Sequence, residues 1–341
     1  MKKKMHWPYT LLTLLALAIV YGIGSTFFTI ELERMVERAI TPQIAASAQV
    51  SELSHEIYAG VDHFMAARHV RLVGYFCIAL IVLAAFVGLL TQKRWLASLG
   101  SLGLILPVYA HFILHMSFLA GLGVLTALWA PFWGDLVRLG DIAYLPYMAV
   151  VYPCALAGWD VRRALAGLCA SLGLLIFILG VLAWFYARYQ KKNTADFWLY
   201  RFTRHPQYLG WIVWSYGLML RVALRQDAAL QEINPGASLP WVISTLIILC
   251  VALSEEISMR RQYPVDYEQY CKHTPFMLPL PGFLCRMISA PFRLVRKKDQ
   301  LENRLDLVWV FAIYLAVIVL LSAPFVFLDW PDSGSWVKWP F

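Results

Sequence analysis

The sequence predicts an all-α chain, a polytopic integral membrane helical bundle of about nine (eight to nine) transmembrane helices, on three observations. Of its 341 residues 60% are hydrophobic, only 15% are charged, and the mean hydropathy is +0.61, well outside the range of soluble domains. Charge-free runs recur at Pro8 to Ile30, Leu72 to Gln92, Trp95 to Gly134, Ile142 to Trp159, Ala164 to Ala187, His205 to Leu220, Ile233 to Ser254 and Leu307 to Leu328. Most approach the ~20 residues that carry a helix across ~30 Å of hydrocarbon, and none alternates strictly as a barrel strand would.

The first run follows Lys2, Lys3 and Lys4, which resembles a secretory n-region and core. It is long enough to span, and the small-residue patch Ala45 to Ala48 lies far beyond it, so an uncleaved signal anchor is expected. Residues 31 to 70 then form an exterior segment. Leu53, Ile57, Val61, Phe64 and Arg68 recur there at helical spacing, which predicts an amphipathic helix lying on the membrane or packed on its neighbours.

The run Trp95 to Gly134 is too long for one crossing. With the N-terminal lysines in the cytoplasm, two crossings place Arg188, Lys191, Lys192, Arg201, Arg204 and the basic segment Arg260 to Arg304 inside, as the positive-inside rule asks. Arg162, Arg163, Arg221 and Arg225 then fall outside. The two crossings meet in a tight turn at Ala120 to Gly123. The net charge of +8, gathered on the cytoplasmic side, suits anionic lipid headgroups, and no separate basic domain exists to bind nucleic acid. The expected location is the plasma (inner) membrane, multi-pass.

Six scattered cysteines form no CxxC pair and predict neither a disulfide framework nor a zinc site. His111 and His115 share one helix face, but without a third or fourth ligand nearby a hydrogen-bonded pair is favoured and no metal centre is expected. Gly121 and Gly123 read first as close packing or a turn.

The polar residues that carry chemistry sit at two span ends. In "RFTRHPQYLG", Pro206 can open a helix, because its missing N–H belongs to the first turn. Arg204 and His205 then stand at a helix mouth, where free N–H groups and the dipole favour a carboxylate or phosphate. In "SEEISMRRQYPVDYEQY", Glu255 and Glu256 follow an apolar helix directly, and two carboxylates at a bilayer edge need a cationic or hydroxyl partner. Glu256 and Arg260 are also an i, i+4 pair, which a surface salt bridge would explain. Tyr263, Tyr267 and Tyr270 share a face if the helix continues through Pro264. The span from His205 goes out and the span ending at Ser254 returns, so both clusters reach one membrane face.

Together, Arg204, His205, Pro206, Tyr208, Leu209 and Gly210, then Glu255 and Glu256, then Tyr267, Tyr270, Pro275 and Pro279 resemble the catalytic region of the isoprenylcysteine carboxyl methyltransferase and phospholipid methyltransferase superfamily over about residues 165 to 282. Trp198 and Leu199 stand where members of that superfamily carry Gly-Pro, and Tyr263 and Pro264 where they carry Phe-Gly. The resemblance implies a membrane-embedded S-adenosylmethionine site on the cytoplasmic side, with a lipophilic acceptor entering from the bilayer: a prenylcysteine carboxylate, a phospholipid amine or a thiol. It implies catalytic roles for Arg204 and His205 and cofactor contacts from His205, Tyr208, Leu209, Gly210, Glu255, Glu256, Tyr267 and Tyr270. On this reading residues 1–135 form an N-terminal membrane region, 136–283 a methyltransferase-like region, and 284–341 a basic linker with a last span. Two alternatives stay open: an NADPH-dependent sterol or steroid-type reductase, whose C-terminal hairpin is similar, and a non-enzymatic membrane scaffold.

Overall fold

The computed structural model describes residues 63, 67–91, 93, 95–101, 135–190, 197–223, 238–298, 301 and 303–327. The signal anchor, most of the amphipathic segment, the histidine pair at 111 and 115, and the turn at Ala120 to Gly123 lie outside the described residues. Every described element is helical, and five helical stretches among them are long and apolar enough to cross a membrane: Arg68–Leu90, Leu139–Leu156, Arg162–Tyr189, Ser238–Gln262 and Leu305–Pro324. The protein is a polytopic helical membrane protein.

Helix α1 spans Arg68–Leu90, so its first three residues fall in the expected exterior segment. Its last carbonyl, on Leu90, accepts from the Arg304 guanidinium at 2.7 Å. After a turn, residues 95–101 are helical again and climb back along the bundle, where the Ser101 and Ser244 hydroxyls meet at 2.6 Å in the interior. The run beginning at Trp95 therefore re-enters the bundle rather than leaving it.

A 3-10 helix, Asp135–Tyr144, precedes α2, Leu145–Leu156, so the charge-free run from Ile142 is not one continuous α-helix. The 3-10 turn brings Gly140 onto the backbone of Ser238 and Leu239, where a Cβ would lie 2.5 Å from the Leu239 nitrogen. It also brings the buried Asp141 carboxylate to the Ser238 hydroxyl at 2.7 Å. A carboxylate at the first turn of a helix meets its free N–H groups and the positive end of its dipole. The chain turns at Gly158, whose φ of +80° suits only glycine. The exposed Asp160 then stands just before α3, Arg162–Tyr189, accepting from the Arg162 amide at 3.2 Å and pairing with its guanidinium at 2.8 Å. That contact holds its carboxyl at about 2, below the usual range.

Helix α4, Pro206–Ala223, runs antiparallel to α3 at unusually close approach. Gly173 faces the backbone of Trp214, Gly210 that of Phe177, and Gly217 that of Ala170; a Cβ at any of the three would lie 2.1 to 2.3 Å from a backbone nitrogen. Lipid is as apolar as leucine, so small residues that let two backbones touch are what hold such a pair together.

Helix α5, Ser238–Gln262, is the central element: 67% of its apolar window is buried, against 22% to 28% for the other four candidate spans. It packs against α1, residues 95–101 and α8, Leu305–Phe327, in one apolar core containing Leu89, Ala97, Ile247, Val251, Leu307 and Phe311. Two shorter helices complete the described chain, α6 at Pro264–His273 and α7 at Gly282–Arg296. The Tyr263-Pro264 step breaks the helix, so the tyrosines at 263, 267 and 270 do not form one continuous helical face.

Candidate functional site

The polar residues gather where α4 begins, α5 ends and α6 packs across both. Pro206 is the first residue of α4, and His205 stands directly before it with its carbonyl accepting from the Leu209 amide at 3.0 Å. The approach to that helix is held by a strap: the Arg204 amide donates to the Pro275 carbonyl at 3.0 Å, the Thr203 hydroxyl to the Phe276 carbonyl at 3.4 Å, and the His205 amide to the Thr203 hydroxyl at 3.3 Å. The Phe276 ring then closes on His205 edge to face, with centroids 5.1 Å apart, and on the Arg204 guanidinium at 5.9 Å.

Glu256 is the hub. It is 4% exposed. Its Oε1 lies 3.0 Å from Arg204 Nε and 3.2 Å from His205 Nε2, and it accepts from the Tyr267 hydroxyl at 3.2 Å. Its Oε2 faces Arg260 at 3.4 Å. The Arg204 contact is an ion pair by distance, with its Nε–H not aimed along a hydrogen-bond line. Four groups from α4's approach, α5 and α6, three of them by hydrogen bonds and Arg204 by charge, therefore converge on one buried carboxylate. The i, i+4 pair with Arg260 is present but accounts for only one of them.

Glu255 is placed differently. Its side chain is 31% exposed, its Oε1 accepts from the Tyr208 hydroxyl at 2.8 Å, and its Oε2 lies 3.8 Å from His205 Nδ1. His205, itself 7% exposed, is thus flanked by both carboxylates. An ionised carboxylate can only accept, so the contact with Glu256 calls for a proton on Nε2, and Nδ1 faces Glu255. Burial and the Glu256 charge raise the Tyr267 hydroxyl's pKa well above its ordinary value, so it stays a donor. Burial raises that of Tyr200 too, whose carbonyl accepts from the Tyr270 hydroxyl at 2.7 Å.

Of the residues singled out in the sequence, Arg204, His205, Tyr208, Glu255, Glu256 and Tyr267 are thus brought together. Tyr270 stands one turn away and ties α6 to the 3-10 helix Trp198–Arg201. Gly210 does not face this cluster: it is the close-contact glycine against Phe177 on α3, and Leu209 lies half-buried beside it. The sequence reading missed the strap, Thr203 with the carbonyls of Pro275 and Phe276, because backbone acceptors carry no residue signature. It also missed the meaning of Trp198, which adopts φ +51°, the left-handed region that favours glycine, while stacking on Tyr186. The superfamily's glycine at this place was the available signal.

Residues 142–274, under half of the chain, match a family described as "Protein of unknown function (DUF1295)". That family falls in the steroid reductase and isoprenylcysteine methyltransferase-like group. No curated protein and no solved structure matches the chain.

Proposed function

We propose that this face binds S-adenosylmethionine and transfers its methyl group to a lipophilic or small acceptor reaching it from the bilayer. The observation that carries the reading is the division of charge in the cluster. Arg204 is 9% exposed at its side chain and is engaged with Glu256, whereas the accessible anion is Glu255. A half-exposed carboxylate beside a phenol and an imidazole suits a ligand bearing an ammonium and ribose hydroxyls. A dinucleotide carrying three phosphates needs unengaged cations in the same place, and both Arg204 and Arg260 point at Glu256. For that reason the reductase alternative is the weaker one.

The cofactor would supply an activated methyl carbon. Glu255 and Tyr208 would hold the ammonium or the ribose, and the first turn of α4 would face the carboxylate with its N–H groups. His205 is held between the two carboxylates in one orientation, and the strap through Pro275 and Phe276 covers it against water. Catalysis of this kind is mainly positioning in a dry site.

The test is calorimetric binding of S-adenosylhomocysteine to the purified full chain, with Glu255→Gln and His205→Ala beside it and NADPH as the comparison ligand. Saturable binding weakened about 10- to 100-fold in both variants, the loss of one hydrogen bond to a charged group, is the expected result. Binding of NADPH in its place would establish the reductase reading, and binding of neither would favour a scaffold.

A further inference from the structure

We propose that α7 is a docking helix for an anionic bilayer surface. The inference is independent of what the site above binds. Phe283, Met287 and Leu294 lie on one side of α7 with Ile288 and Val295 beside them, and each is more than half exposed. The opposite side holds the helix to the protein. Phe292 is buried in the main core with Leu307 and Phe311, the Ile288 carbonyl accepts from the Tyr314 hydroxyl, and Arg296 pairs with the buried Asp306 at 3.4 Å while lying over the Trp309 ring. These contacts fall on the first turns of α8, where its apolar run begins, so α7 lies at the level where that span enters the membrane.

Charge identifies the occupant of the exposed side. Residues 282–298 contain Arg286, Arg293, Arg296, Lys297 and Lys298 and no acidic residue. Arg286 and Lys297 are exposed and Arg293 is half-exposed. A helix with large apolar side chains along one arc and arginines flanking it matches the acyl and phosphate layers of an anionic leaflet at once. A protein groove would accept the apolar arc but would leave a block of like charges that an acidic surface neutralises. The Arg304 contact to Leu90 sets Lys93 on the same end of the bundle. The basic edge therefore continues beyond α7 itself.

The experiment uses the full chain in nanodiscs of phosphatidylcholine alone and with one third phosphatidylglycerol, read by hydrogen exchange of residues 282–297, with α5 amides as the control for an intact fold. Exchange in α7 is expected to slow at least about fivefold in the anionic discs, the factor that a single cation's attraction to such a surface is worth. The difference is expected to shrink in high salt and to disappear in Arg286→Gln/Arg293→Gln, with α5 unchanged. Equal exchange in the two lipids would overturn the proposal. So would protection already complete in lipid-free detergent, which would mean that protein covers this side, or a lipid difference that survives in the double variant.

Discussion

Glu255 and Glu256 are neighbours in the chain with opposite situations, and their substitutions are expected to separate accordingly. Removing the buried carboxylate leaves Arg204 buried without its counter-charge, so Glu256→Ala should cost about 3–5 kcal/mol, read by thermal unfolding in detergent. Glu255→Gln keeps an acceptor for Tyr208 and should stay within about 1 kcal/mol while affecting ligand binding. A second residue-scale outcome follows from Tyr267. Its folded-state pKa is raised, so the stability linked to it is complete below the unfolded value near ~10 and is lost as pH rises above that. A pH series of unfolding temperatures should show a steeper alkaline decline in the parent chain than in Tyr267→Phe. At this scale the residue types of the cluster were legible in the sequence, because charged and aromatic groups beside an apolar run stand out. Their division of labour was not. Adjacent helix positions point about 100° apart, and only the packing of α6 decides which of the two carboxylates it covers.

Among elements, the α3–α4 pair sets the precision of the site, since α4 carries Tyr208 in its first turn and His205 directly precedes it. Adding a methyl group at Gly173 or Gly210 drives a Cβ onto the facing backbone, and the helices must separate. Gly173→Ala and Gly210→Ala should each cost about 1–3 kcal/mol in thermal unfolding. The double variant should cost less than the sum, because one separation accommodates both methyl groups. Gly282→Ala, whose Cβ would meet nothing within 4 Å, serves as the silent control. Glycines at seven-residue spacing, 173 and 180 on α3 and 210 and 217 on α4, are visible in the sequence as two stripes. Which stripe faces which helix is decided by the antiparallel register. The break between α5 and α6 had a clear sequence cause in Pro264, yet the direction α6 takes after it follows from the Tyr267 and Tyr270 hydroxyls, one on Glu256 and the other on the Tyr200 carbonyl.

For the whole molecule, the contacts sort the described helix ends onto two membrane faces. The end of α1, the start of α8 and the Glu256 cluster lie on one face, joined by Arg304 on Leu90 and by Cys250 against the Leu307 carbonyl one helical stretch above the cluster. The start of α5, the Asp141 contact and Ser322, which accepts from the Ile142 amide, lie on the other. Cysteines introduced at Lys93 and Asn303 should therefore react with an impermeant thiol reagent from the same side of sealed vesicles, and one at Asp160 from the opposite side. Labelling of Lys93→Cys and Asn303→Cys from opposite sides would contradict this arrangement of helices.

The sequence by itself determined the solvent, the helical class and the residue types at the polar cluster. These follow from composition and local periodicity, because in lipid every backbone group must find its partner within its own helix. Only the tertiary structure decided that Glu256 is enclosed while Glu255 stays half-exposed, that Gly210 serves helix packing, that Trp198 holds a glycine-like backbone conformation, and that backbone carbonyls at 275 and 276 clamp the start of α4. Each of these depends on which surfaces meet across long stretches of chain. That is a property of packing, and no local pattern of residues encodes it.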